Sequence, residues 1–112
     1  MSEPLTQLVD LLARRHALGC LLELRGGSLP FRTLAQRAGA AENVVSQRLK
    51  ELREAGIVEV DEAGDYRLSA EGRRLLGPLE ALAAYADRWI GLSPRQRVPR
   101  GAATRGRGEP GD

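Results

Sequence analysis

Asn43, Ser46, Gln47 and Lys50 stand at positions i, i+3, i+4 and i+7 of one short stretch. In a helix that spacing puts all four on a single face. The amides of asparagine and glutamine can each pair at two points with the edge of adenine, serine can donate or accept, and lysine can reach guanine or a phosphate. Val45, Leu49 and Leu52 fall at i, i+4 and i+7 of the same stretch, with Val44 at the edge, so the opposite face is apolar. A helix of this make is suited to entering the major groove of double-stranded DNA, its N-terminal half toward the bases. Arg48 and Arg53 flank the polar face as candidates for phosphate contact. Any amphipathic surface helix has a polar outer side, so the elements around this one decide how the set is read.

Those elements come in a specific order. Phe31 to Ala38 is predicted as a helix with Phe31, Leu34, Ala35 and Ala38 on one face, ended by Gly39. A short turn leads into the helix just described, about Glu42 to Ala55, closed by Gly56 as a C-terminal cap. Two helices joined by a tight Gly-containing turn are a helix-turn-helix. Ile57, Val58 and Val60 then form a β-rich run, Glu62-Ala63-Gly64-Asp65 is turn chemistry, and Tyr66-Arg67-Leu68 returns as a second strand. This hairpin is a wing, and Arg67 on it is a further DNA-contact candidate. The expected fold is mainly α with a small β-hairpin, a winged helix-turn-helix.

Flanking helices complete the ordered chain. Leu5, Leu8, Val9 and Leu12 follow helical spacing, with Pro4 in the first turn. A second helix is expected from about Ala17 to Arg25, with Leu18, Leu21, Leu22 and Cys20 inward, stopped by Gly26-Gly27. Ser28-Leu29-Pro30 is a short extended link. Ser69 is an N-cap for a long last helix carrying Leu75, Leu79, Leu82, Ala86 and Trp89 as a seam, with a kink or division expected at Gly77-Pro78.

Composition bounds what the chain can be. It has 112 residues, 42% of them apolar and 4% aromatic, which fits one domain with a Leu, Val and Ala core. Residues 1–92 hold 12 Lys and Arg against 13 Asp and Glu, a balance of −1. Residues 93–112 hold five arginines against Glu109 and Asp112, so the net charge of +2 belongs to the tail. That tail is Gly, Pro and Arg with almost no apolar anchor and is expected to be disordered. It is either a plain terminus or a basic arm that follows the DNA backbone. Residues 1–92 are the expected winged-helix domain.

One cysteine and one histidine exclude an internal disulfide framework and argue against a Cys/His zinc site. No cofactor is expected. There is no nucleophile–base constellation at useful spacing and no phosphate loop, so an enzyme is not expected. The start, Met-Ser-Glu-Pro, shows no signal-peptide pattern, and no apolar run reaches a membrane span; a cytoplasmic protein is the expectation. Cys20 reads as a buried small hydrophobe and His16 as a solvated helix-boundary residue.

Gly39-Ala-Ala-Glu-Asn-Val-Val-Ser-Gln-Arg-Leu-Lys-Glu-Leu-Arg-Glu-Ala-Gly-Ile-Val58 resembles the recognition helix of HxlR-type and related MarR-like winged-helix regulators. The stretch from Tyr66 through the last helix to Trp89 is similar to the family's last strand and C-terminal helix, and the resemblance covers about residues 8–92. It implies a homodimeric DNA-binding transcriptional regulator whose first and last helices form the dimer interface. Here that face would comprise Leu5, Leu8, Leu12, Leu79, Leu82, Ala86 and Trp89. A small-molecule effector is left open. Four features depart from the family. Cys20 lies inside the second helix rather than at the opening of the first, so a redox role is not carried over. The helix-turn-helix turn is shorter, and Ala41 replaces the usual N-cap serine, which costs about 1 kcal/mol. Glu59, Asp61, Glu62 and Asp65 make the wing acidic against Arg67, and phosphates repel such a surface. The acidic wing supports a second reading, a winged-helix module for protein contact without strong DNA binding.

Overall fold

The computed structural model describes residues 3–92. Helix α1 spans Glu3–Leu12, α2 Ala17–Glu23, α3 Phe31–Ala38, α4 Glu42–Glu54 and α5 Ala70–Ile90; strands β1, Val58–Val60, and β2, Tyr66–Leu68, lie between α4 and α5. A 3₁₀ turn over Leu24–Gly26 follows α2. The chain divides into two compact units between Leu76 and Gly77.

The first unit holds the core. Ala17, Cys20, Leu21 and Leu24 come from α2 and its 3₁₀ turn, Leu34 and Ala35 from α3, and Val45, Leu49 and Leu52 from α4. Ile57, Val58 and Leu68 close it from the wing. The expected inward set on α2 is corrected at two positions. Leu18 is 38% exposed and Leu22 is half-buried. The reason is the phase of the helix: Ala17, Cys20, Leu21 and Leu24 stand at i, i+3, i+4 and i+7 and form the buried stripe, which leaves Leu18 and Leu22 off it.

Helix α4 ends as its glycine implies. Gly56 has φ 78°. The Gly56 amide donates to the Arg53 carbonyl at 2.9 Å and the Ile57 amide to the Leu52 carbonyl at 2.9 Å, the paired bonds of a Schellman cap. Leu52 and Ile57 are both buried beneath it.

The strands pair antiparallel, with Val58 opposite Leu68, Glu59 opposite Arg67 and Val60 opposite Tyr66. In the turn, the Asp61 carboxylate accepts from the Ala63 and Asp65 amides, both at 2.9 Å, while Gly64 supplies φ 89°. The Asp65 amide bond and burial act in opposite senses on Asp61, and the amide wins, lowering its pKa. The link before α3 is more than a connection. Leu29 and Tyr66 exchange both backbone hydrogen bonds at 2.9 Å, and Phe31 packs on Tyr66 with ring centroids 6.3 Å apart.

Ser69 joins three elements. Its Oγ accepts from the Gly72 amide at 3.0 Å, capping α5 as expected, and its hydroxyl donates toward the Gly56 and Ile57 carbonyls. The end of α4, the start of the wing and the start of α5 therefore share one side chain.

Helix α5 continues through Pro78 without a break. The expected division into two helices is not observed, although the boundary between the units falls beside it. Pro78 has no amide to offer the preceding turn. Among the described residues no helix is long and apolar enough to cross a membrane. The expected tail, 93–112, lies outside the described residues.

Candidate nucleic-acid interface

The core partners of Val45, Leu49 and Leu52 fix how α4 is rotated, and everything opposite them faces outward. Asn43, Ser46, Gln47, Lys50 and Arg53 are all exposed. The four expected base readers thus share the solvent side of one rigid helix. Among the described residues neither Lys50 nor Arg53 forms an ion pair within 4.0 Å. The N-terminus of α4 is uncapped by a side chain, with Ala41 at the N-cap position.

Arg48 and Arg67 are placed differently. The Arg48 side chain is only 20% exposed, and its guanidinium meets Glu51 at 3.0 Å. Its Nε is buried without a hydrogen-bond partner among the described residues. Arg67 is exposed, but its Nε lies 2.7 Å from the Glu59 carboxylate directly across the hairpin. Each already commits part of its guanidinium to a carboxylate. A groove of about 560 Å³ separates the two elements, lined by Lys50, Arg53 and Glu54 of α4 and by Val58, Glu59 and Val60 of the wing.

Glu51 was not among the residues read from the sequence, yet it organises the inner edge of this face. Its carboxylate accepts from Gln47 at 2.9 Å, from Arg48 at 3.0 Å and from Arg14 at 3.0 Å. The Gln47 and Arg48 contacts follow helical i+4 and i+3 spacing and could have been found. Arg14, from the segment between α1 and α2, has no local signal.

The Gln47 hydrogen bond, aided by the charges of Arg48 and Arg14, holds the Glu51 carboxyl below its ordinary value of 4.5. A carboxylate with a lowered folded pKa stabilises the fold fully above its unfolded value, and that contribution is lost as the pH falls through the folded value. Glu51→Gln should therefore flatten the loss of stability on acidification below pH 4.5. Urea midpoints of both proteins across that range test this; parallel curves would contradict it.

Cys20 is fully buried. Burial pushes its thiol above the ordinary 9.0, against the pull of Arg48, so the neutral thiol dominates near neutral pH. Among the described residues no group of three or more His, Cys, Asp or Glu side chains is placed to hold a metal ion.

The residues expected at a dimer interface lie in both units. In the first, Leu5 is 48% exposed and Val9 beside it 50%, while Leu8 and Leu12 are half-buried. In the second, Leu82 is 61% exposed, Ala86 is exposed, and Leu79 and Trp89 are half-buried.

The HxlR-like helix-turn-helix family model matches residues 11–94. No curated protein sequence matches the chain. Among solved structures, the quinone-bound YodB of B. subtilis is similar at a TM-score of 0.74 and 25% identity, over 79% of this chain and 99% of that one. The transcriptional repressor BigR of Xylella fastidiosa is similar at 0.62 and 28%, over 74% and 86%. A homodimeric winged helix-turn-helix DNA-binding domain from Mycobacterium bovis is similar at 0.58 and 25%, over 75% and 88%. The chain belongs to the HxlR-like helix-turn-helix family, and it is a winged-helix transcriptional regulator.

Proposed function

We propose that the chain binds operator DNA as a homodimer, with α4 of each copy in the major groove. Asn43, Ser46, Gln47 and Lys50 contact base edges, and Arg53 contacts phosphate. Arg48 and Arg67 are secondary phosphate partners, since both are already paired with carboxylates. The observation that carries this reading is the placement of amide, hydroxyl and ammonium groups on one exposed face of a helix whose other face is locked into the core.

The homodimer is supported by the assembly of the Mycobacterium bovis relative and by the exposed apolar side chains Leu5, Val9, Leu82 and Ile90. Leu5, Leu8, Leu12, Leu79, Leu82, Ala86 and Trp89 form its contact. The quinone bound to the B. subtilis relative supports a small-molecule effector here too. A DNA partner makes the cytoplasm its place of action.

Selection of bound sequences from random duplex DNA tests the proposal. The expected product is a pseudo-palindrome with half-sites about one helical turn apart. Retention of no duplex at low salt would favour the protein-contact reading that the acidic wing supports.

A further inference from the structure

Glu51 stands one turn after Gln47 on α4, and 14% of its side chain is exposed. Arg14 and the Gln47 amide nitrogen meet Oε2, at 3.0 Å and 2.9 Å. Arg48 meets Oε1 at 3.0 Å. Two guanidinium groups from different parts of the chain therefore pin the carboxylate, and the pinned carboxylate holds Gln47. We infer that Glu51 is a positioning residue for base reading, setting which way round the Gln47 amide is presented to DNA. The inference rests on the DNA-binding reading above.

The chemistry follows from what a carboxylate tolerates. A glutamine amide has an acceptor end and a donor end, and an unrestrained side chain can present either first. An ionised carboxylate accepts only. Turning the amide over would set the Gln47 carbonyl oxygen against Glu51, two acceptors facing one another. Only the orientation with nitrogen toward Glu51 is satisfied. It commits one N–H to the carboxylate and leaves the second N–H and the carbonyl oxygen for a base edge. That remaining pair matches the acceptor and donor of adenine in the major groove. Arg14 and Arg48 keep the carboxylate ionised and stationary, so the orientation is set before DNA arrives.

The test is the base-preference profile of the full-length chain, measured by selection and competition with single-base variants of the selected site. The position read by Gln47 is the one where Gln47→Ala loses its preference. Glu51→Ala should lower the preference at that position about tenfold and leave the other positions unchanged. In a Gln47→Ala background the same change should have no effect there. Arg14→Ala removes one of the two guanidinium groups but leaves Arg48 on Oε1 and the Gln47–Glu51 bond, so it should retain most of the preference.

An even loss of affinity across all positions in Glu51→Ala would overturn the inference. So would an equal loss of preference in Arg14→Ala, which would mark the cluster as a structural brace, or a Gln47→Ala variant that loses no preference anywhere. If Glu51→Ala fails to unfold cooperatively on heating, Glu51→Gln replaces it. That side chain keeps the shape but offers both a donor and an acceptor, so it no longer enforces one orientation. A partial loss at the same position is expected, and an unchanged profile would overturn the inference. A wild-type chain that selects no sequence gives a different result, since the DNA-binding reading then falls first.

Discussion

Replacing Asn43, Gln47 and Lys50 together by alanine should lower affinity for the selected operator by roughly two to four orders of magnitude, while binding to unrelated duplex falls far less. Each well-made two-point contact to a base is worth about 1–3 kcal/mol of discrimination, and roughly 1.4 kcal/mol is a factor of ten. All three side chains are exposed on α4, so their truncation opens no cavity in the core and the fold should persist. The separation of specific from nonspecific binding is what identifies base readers. Phosphate contacts contribute to both in similar measure. Anisotropy titrations on selected and scrambled duplexes at matched salt would show it. Equal losses on the two duplexes would mean that these residues contribute only general affinity.

The second large effect concerns a residue with no polar chemistry. Gly72 is buried in the first turn of α5. A methyl group there would fall well inside contact distance of the Ile57 carbonyl oxygen and 3.2 Å from the Leu68 Cβ. That carbonyl is not free to retreat, because it accepts the Ser69 amide at 2.9 Å and faces the Ser69 hydroxyl at 3.1 Å. Gly72→Ala should therefore destabilise the domain by roughly 3 kcal/mol, despite alanine's better helix propensity. For a domain of this size that is a fall in Tm of roughly 15 °C. Gly19 is the counterpart. It is exposed within α2, and a methyl group there meets nothing within 4 Å, so Gly19→Ala should stabilise by about 0.5–1 kcal/mol. Thermal unfolding of the two variants should move in opposite directions. A Gly72→Ala protein as stable as the parent would mean that the junction of wing and α5 yields easily.

How far the sequence could be read depended on whether each feature was local. The two faces of α4 were legible because a 13-residue helix spans several turns and its apolar positions keep one phase. Its end was legible because only a residue tolerant of positive φ fits the cap, and Gly56 stood where the pattern stopped. Ser69 announced α5 through its own cap. The inward face of α2 was misread at Leu18 for the opposite reason. Seven residues give under two turns, and apolar side chains at 17, 18, 20, 21 and 22 leave the phase undetermined.

The site divides in the same way. The exposed amides and ammonium of α4 followed from periodicity. The role of Glu51 depends on Arg14 arriving from a distant segment, and the Leu29–Tyr66 pairing on two extended pieces meeting across α3 and α4. Neither leaves a local pattern. The demand for glycine at position 72 is likewise visible only once the Ile57 carbonyl is in place.

Methylation protection on the selected operator reports directly on which groove α4 occupies. Guanine N7 lies in the major groove and adenine N3 in the minor groove. Full-length protein should protect guanine N7 within both half-sites and leave adenine N3 there reactive. A bound complex in which N7 stays reactive throughout the site while N3 is protected would contradict a recognition role for the face of Asn43, Ser46, Gln47 and Lys50.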